Sequence, residues 1–159
     1  MPKNIIKKVG VISDTHGRLN DKVRGVFEKV DIIIHCGDIG KSEIIVELEK
    51  LAPTYAVLGN IDKPFVFPGL KYQSTIQVNG FNILIRHEFD PDHKKHFKLA
   101  ENFDLVFFGH THIPFIKKQD DVIFVNPGSA SQGRRGNPES VVLIDFSEEN
   151  ILPKIVKLT

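Results

Sequence analysis

A chain of 159 residues, 41% hydrophobic and 26% charged, has the make-up of a soluble globular protein. It is long enough to bury roughly two-thirds of its unfolded surface in one domain, residues 1–159, and a formal net charge of +1 gives no field of the kind that draws nucleic acid or an anionic membrane. One cysteine, Cys36, excludes an internal disulfide, and no apolar run approaches the ~18 residues that cross a bilayer, so a cytoplasmic protein is expected.

The first half alternates strand and helix signals. "KKVGVIS" (7–13) is a β-branched run that stops at polar "DTHG". In 18–30, Leu19, Val23, Val26, Phe27 and Val30 recur at helical spacing and predict a helix. "DIIIHCG" (31–37) is apolar throughout and reads as a central strand in which Cys36 and His35 belong to the core. "KSEIIVELEKL" (41–51) predicts a second helix with Ser42 as its N-cap, and "TYAVLGN" (54–60) a third strand. This βαβαβ order implies a parallel sheet covered by helices.

Hairpins follow. "STIQVNGFNILIRH" (74–87) turns at Asn79-Gly80, the strongest short hairpin signal. Residues 90–102 predict a short helix on which His93 and His96 face solvent, within reach of the rim of any site nearby. "DLVFFG" (104–109) reads as a buried strand. Residues 114–126 predict a hairpin turning at Gln119-Asp120-Asp121, and 139–158 another turning at Glu148-Glu149-Asn150. The apolar loop "KPFVFPGLKY" (63–72) is expected beneath the core. Parallel units first and hairpins later suggest two sheets packed together with helices outside.

Five of these strands end in polar residues able to bind a metal. They deliver Asp14 and His16, Asp38, Asn60, His87, and His110 and His112. Ligands of open α/β sheets bind outside the carboxyl ends of strands. Gly-Asp and Gly-Asn are common turn dipeptides, so each piece alone means little; their joint placement carries the argument. Asp14/His16 and His110/His112 share an i,i+2 spacing that lets both side chains of a pair reach one point. The glycines before Asp38, Asn60 and His110 allow the backbone close to a ligand. Four imidazoles, two carboxylates and an amide favour Mn, Fe, Zn, Co or Ni over the oxygen-loving Ca and Mg. Seven ligands exceed one tetrahedral zinc and suit two cations roughly 3.5–4 Å apart.

The series "DTHG…GD…GNID…H…GHTH…NPGS", from Ser13 to about Ser131, resembles the calcineurin-like metallophosphoesterases. It is most similar to their small single-domain prokaryotic phosphodiesterase branch, which is related to the retromer scaffold subunit. The resemblance implies an α/β fold, a four-layer αββα sandwich of two mixed sheets flanked by helices. It also implies two divalent transition-metal ions, manganese first among them with Ni, Zn, Fe and Co as alternatives. Asp14, His16 and His112 would hold the first, Asp38 would bridge, and Asn60, His87 and His110 would hold the second. A hydroxide activated by the two metals, positioned through Asp14, Asp38 and His87, would attack the phosphorus of a small phosphoester substrate that Asn60 and His87 face. The "NPGS" loop, 126–129, is a landmark of the family and reads equally well as a Pro-Gly turn without a chemical role.

Two departures stand out. Larger members carry a histidine directly after Gly-Asn that can protonate a leaving group; here the position is Ile61. Losing a general acid worth roughly 10²–10⁴-fold favours substrates with good leaving groups, such as aryl phosphoesters. Asp62 is expected to bond its own turn. The branch also carries His-Gly-His at His87, where this chain reads "RHEFDP", with exposed Glu88 and then Phe89 in place of the second histidine. Arg134 and Arg135 are expected on a solvated loop. Phosphodiesterase is the leading reading; phosphomonoesterase and a non-catalytic scaffold retaining the metal site are the alternatives, and a homo-oligomer stays open.

Overall fold

The computed structural model describes residues 5–147 and 150–159. Strands β1 (Lys8–Ile12), β2 (Ile32–His35) and β3 (Thr54–Ala56) run parallel, with helices α1 (Lys22–Val26) and α2 (Ser42–Glu49) in the crossovers. Then come β4 (Gln73–Val78), β5 (Phe81–Arg86), α3 (Lys94–Ala100), β6 (Leu105–Phe107), β7 (Pro114–Gln119), β8 (Val122–Pro127), β9 (Ser140–Phe146) and β10 (Ile151–Lys157). The strands form two five-stranded mixed sheets, ordered β10-β9-β1-β2-β3 and β4-β5-β6-β8-β7.

Strand alternation builds the layers. Val9, Val11, Ile32, Ile34, Val142 and Ile144 of the first sheet face Ile83, Ile85, Leu105, Phe107 and Val125 of the second, and none is more than 6% exposed. The intervening residues point outward. Ile12 and Ile33 pack under Val23 and Phe27 of the first crossover and Ile44 and Leu48 of α2. Leu84, Val106 and Phe124 pack under Ala100 and Phe97 of α3. Three apolar cores between four layers are the expected αββα sandwich.

Several expectations shift in detail. The helix expected over 18–30 shrinks to five residues, although Val23, Phe27 and Val30 are buried as its face required. Asn20 starts a turn instead, its Oδ1 accepting from Lys22 N at 2.9 Å, and Gly25 weakens the interior. In α2 the N-cap position falls on Lys41, with no side-chain bond, and Ser42 is the first helical residue. His93 caps α3, its Nδ1 accepting from Lys95 N. Asn79 and Gly80 turn the β4–β5 hairpin with φ of 51° and 85°, the left-handed pair that a two-residue turn needs. Asp120 and Asp121 turn β7 into β8. The last hairpin returns to the first sheet, where β9 pairs antiparallel with β1; the part of its turn at Glu148 and Glu149 lies outside the described residues. β5, β6 and β8 are parallel to one another, a relation the hairpin signals hid.

The loop 63–72 is the clearest correction. Phe67 is buried beneath α2, but Phe65 is 79% exposed and Val66 and Tyr72 also face solvent. Two prolines and Gly69 keep it out of regular structure, so Phe67 and the partly buried Leu70 reach the core while the rest of its bulky residues do not.

Candidate metal centre

All seven residues lie just past the carboxyl ends of β1, β2, β3, β5 and β6, along one edge shared by both sheets. Asp14 is at the centre. It is fully buried, and its Oδ2 accepts from Ser13 Oγ at 2.6 Å and from His110 N at 3.1 Å. Its Oδ1 has no hydrogen-bond donor. Around that oxygen stand three imidazole Nε2 atoms: His112 at 3.1 Å, His16 at 3.7 Å and His87 at 3.9 Å. Asp38 Oδ2 lies 3.3 Å from His87 Nε2 and 3.7 Å from His16 Nε2, between the two histidines.

The histidine rings are aimed from behind. His87 Nδ1 donates to the Cys36 carbonyl at 2.8 Å and His112 Nδ1 to the Gln132 carbonyl at 2.9 Å. Each bond fixes a tautomer whose Nε2 lone pair faces the cluster, the arrangement of a metal-ligating histidine. The Nε2 atoms of His16 and His112 come within 3.3 Å of each other. Asp14, His16 and His112, and separately Asp14, Asp38 and His87, offer ligand atoms close enough to share a cation. An orphaned buried carboxylate oxygen ringed by imidazole nitrogens fits a divalent metal and little else.

Asn60 and His110 form the outer part and are exposed. With its oxygen inward, the Asn60 amide meets His87 Nε2 at 3.0 Å and His110 Nδ1 at 3.3 Å. With its nitrogen inward it donates to His87 Nε2 at 3.0 Å and Asp38 Oδ2 at 3.1 Å. Only the first orientation presents a ligand oxygen. The spacing of His110 and His112 suggested one point and the family resemblance two: His112 lies with Asp14 and His16, while His110 lies with Asn60 and His87.

The electrostatics follow from this crowding. Burial opposes ionisation of Asp14, but the close imidazoles of His112, His16 and His87 outweigh it and hold the carboxyl far below its usual range. Burial likewise opposes ionisation of Asp38; His87 and the Ile61 N–H win there and lower it. His16 is raised chiefly by Asp14. His87 is raised because Asp38 and Asp14 overcome its desolvation.

The backbone supplies the rest. Asp14, His16, Asp38, His110 and His112 all have φ between 47° and 72°, the left-handed region that non-glycine residues avoid. Each i,i+2 pair is thus two left-handed residues flanking a threonine. Glycine serves the cluster itself rather than a ligand. A Cβ on Gly59 would sit 2.1 Å from Asp38 N, and one on Gly109 would sit 2.1 Å from Ser13 Oγ.

A shell of polar residues, mostly given no role from sequence, holds these loops. Asp62 is buried and accepts from Gly59 N at 2.8 Å and from Ile39 N and Gly40 N at 3.0 Å. It does bond its own turn, and it also ties the Asp38 loop to the Asn60 loop. Ser129 Oγ and Ser131 Oγ donate to the Asp14 carbonyl at 2.8 and 2.7 Å. Asn126 Nδ2 donates to the Gly109 carbonyl at 3.1 Å and to Thr111 Oγ1 at 3.0 Å. The "NPGS" string was the signal for these contacts. His35 is the satisfied core histidine expected: Nε2 donates to Thr15 Oγ1 at 2.9 Å, Nδ1 accepts from Gly37 N, and burial lowers its pKa to about 4. Glu88, Arg134 and Arg135 are exposed as expected, whereas His96 is half-buried and borders a cavity beside His110.

The calcineurin-like phosphoesterase superfamily domain matches residues 8–149 of this chain. A probable metallophosphoesterase of Methanothermobacter thermautotrophicus is 30% identical, with 94% of this chain and 91% of that protein covered. A phosphodiesterase of Methanocaldococcus jannaschii is 32% identical, covering 86% of this chain and 92% of its own. Wild-type Vps29 complexed with zinc, from Entamoeba histolytica, shares the fold at a TM-score of 0.75, with 96% of this chain and 99% of that chain covered at 19% identity.

Proposed function

The chain belongs to the calcineurin-like phosphoesterase superfamily, and from that premise we propose that it is a phosphodiesterase that works with two divalent transition-metal ions, manganese foremost. The observation that carries this reading is the donor-less Oδ1 of Asp14, ringed by the Nε2 atoms of His112, His16 and His87. Asp14, His16 and His112 would hold one cation, Asn60, His87 and His110 the other, and Asp38, lying between His16 and His87, would bridge. Cations held by these residues would supply a hydroxide at neutral pH and would neutralise charge building on phosphorus. Acting as a single domain, the protein suits the cytoplasm, where the lone thiol of Cys36, fully buried, stays reduced.

The residues of this chain set what it can cleave. Ile61 is 44% exposed beside Asn60 and has no proton to give. Asp62 is committed as an acceptor of three backbone N–H groups, so it is no proton donor either. Leaving groups must depart with little protonation, which favours acidic alcohols and phenols. The phosphodiesterase relative supports a diester over a monoester.

Purified protein supplied with Mn²⁺ is expected to hydrolyse bis(p-nitrophenyl) phosphate faster than p-nitrophenyl phosphate. The reverse order would make it a phosphomonoesterase. Folded protein without turnover under any divalent metal would overturn the catalytic reading.

One observation favours a second reading, a protein-binding scaffold: Phe65, Tyr72, Ile61 and Val66 are exposed close together in sequence. A scaffold would keep its partner when His112 is replaced by Ala, whereas loss of a measurable hydrolysis in that variant would exclude it.

A further inference from the structure

A cavity of about 520 Å³ opens beside His110, on the side of the site where Phe89 replaces the expected histidine. Its size is that of a site for one small organic group. Aromatic rings build its wall. Phe89 stacks on Phe124 with centroids 5.9 Å apart, and lies 5.7 Å from Phe108 and 5.2 Å from His96. Phe115 extends the wall 6.2 Å beyond Phe108, and Ile113 adds an aliphatic edge. Phe89 and Phe108 are held rigid in the core under α3, so the wall is formed before any ligand arrives.

The rim carries charge of one dominant sign. Glu88, Asp90 and Asp92 border the cavity against a single Lys117. A phosphate or carboxylate entering here would meet three carboxylates, whereas a neutral or cationic group meets none of that opposition. Lys117 is the single lysine or arginine among the residues that line the cavity, and His110 joins the cavity to the candidate metal centre.

We infer that this cavity binds the organic substituent of the phosphoester and selects an uncharged or cationic aromatic group over a small alkyl group or a second anion. The inference rests on the phosphoesterase reading of the neighbouring cluster and adds the class of substrate. Phe115 becomes a specificity-determining residue: it is 36% exposed on β7 and reaches the cavity without supporting the core.

Calorimetric binding of phosphonates to the manganese-loaded protein tests this without turnover. Phenylphosphonate is expected to bind roughly tenfold or more tightly than methylphosphonate. 4-Phosphonobenzoate, which places a carboxylate in the cavity, is expected to lose most of that gain, and Asp92→Lys to restore it. Phe115→Ser should erase the phenyl preference while methylphosphonate affinity stays unchanged. Equal affinities for phenyl- and methylphosphonate, or a phenyl preference that survives Phe115→Ser, would overturn the cavity assignment and leave the phosphoesterase reading standing. No binding of any phosphonate, with no hydrolysis of aryl phosphoesters, would overturn both.

Discussion

The two halves of the candidate metal centre are built by different rules. In the deep half, Asp14, Asp38, His87 and His112 are at most 3% exposed. There the backbone and the neighbouring side chains fix one polar atom of each: Asp14 Oδ2, Asp38 Oδ1, His87 Nδ1 and His112 Nδ1. In the open half, His16 is half-buried and Asn60 and His110 are exposed; these reach the centre with few contacts from the fold. The deep half is therefore part of how the chain folds, while the open half answers mainly to what it binds. Substitutions should separate the two.

Asp14→Asn tests the deep half at its centre. It keeps the shape and removes the charge around which three imidazoles gather. Cation stabilisation of the transition state is worth several kcal/mol, so aryl phosphodiester hydrolysis should fall on the order of 10³-fold or more. Activity within tenfold of the parent would break the comparison.

Asp62→Ala asks whether the loops beneath the cluster carry stability. It leaves the N–H groups of Ile39, Gly40 and Gly59 without their acceptor. One unsatisfied buried group costs about 1–3 kcal/mol, and partial rehydration keeps the sum from reaching three full penalties. Urea unfolding should show a loss of about 3 kcal/mol, with metal uptake weakened in step.

His35 gives the deep half a pH signature. Its folded pKa of about 4 lies below the unfolded value of 6.5, so the unfolded chain takes up the proton first. Its contribution to stability is complete above about 6.5 and is lost as pH falls toward 4, a change of up to about 3 kcal/mol. Asp14, held far below its usual range, loses its contribution mainly beyond the acid end of this window, as pH falls below the unfolded carboxylate value. Stability measured from pH 7 to 4 should fall less steeply in His35→Gln than in the parent.

His110→Ala sharpens the other side. Exposed, and touching the cluster through Nδ1, it should weaken metal binding by about tenfold and change unfolding stability by no more than about 0.5 kcal/mol. A large stability loss would mean that the open half is also structural.

The same division explains what could be read from the chain. Ligand types and strand ends are local: apolar runs that stop at Asp14, Asp38, Asn60, His87 and His110 place those residues on one rim once parallel strands are inferred. The i,i+2 spacing alone put His110 and His112 at one point, and only the family resemblance set them apart, because their divergence depends on φ of 72° and 61° at non-glycine residues. Asp62 looked like one more turn aspartate; its bonds to Ile39 and Gly40 are 23 and 22 residues away in sequence. The helix over 18–30 had the right apolar face but yielded to the Asn20 turn and Gly25. The 63–72 loop misled because apolar composition says nothing of where a proline-rich segment turns its rings.

The central claim is that seven side chains hold a pair of cations. Anomalous diffraction from crystals grown with Mn²⁺ tests it directly. Two peaks roughly 3.5–4 Å apart are predicted, with Asp38 between them, Asp14, His16 and His112 on one and Asn60, His87 and His110 on the other. Crystals with no peak among these residues, under saturating manganese, would contradict it.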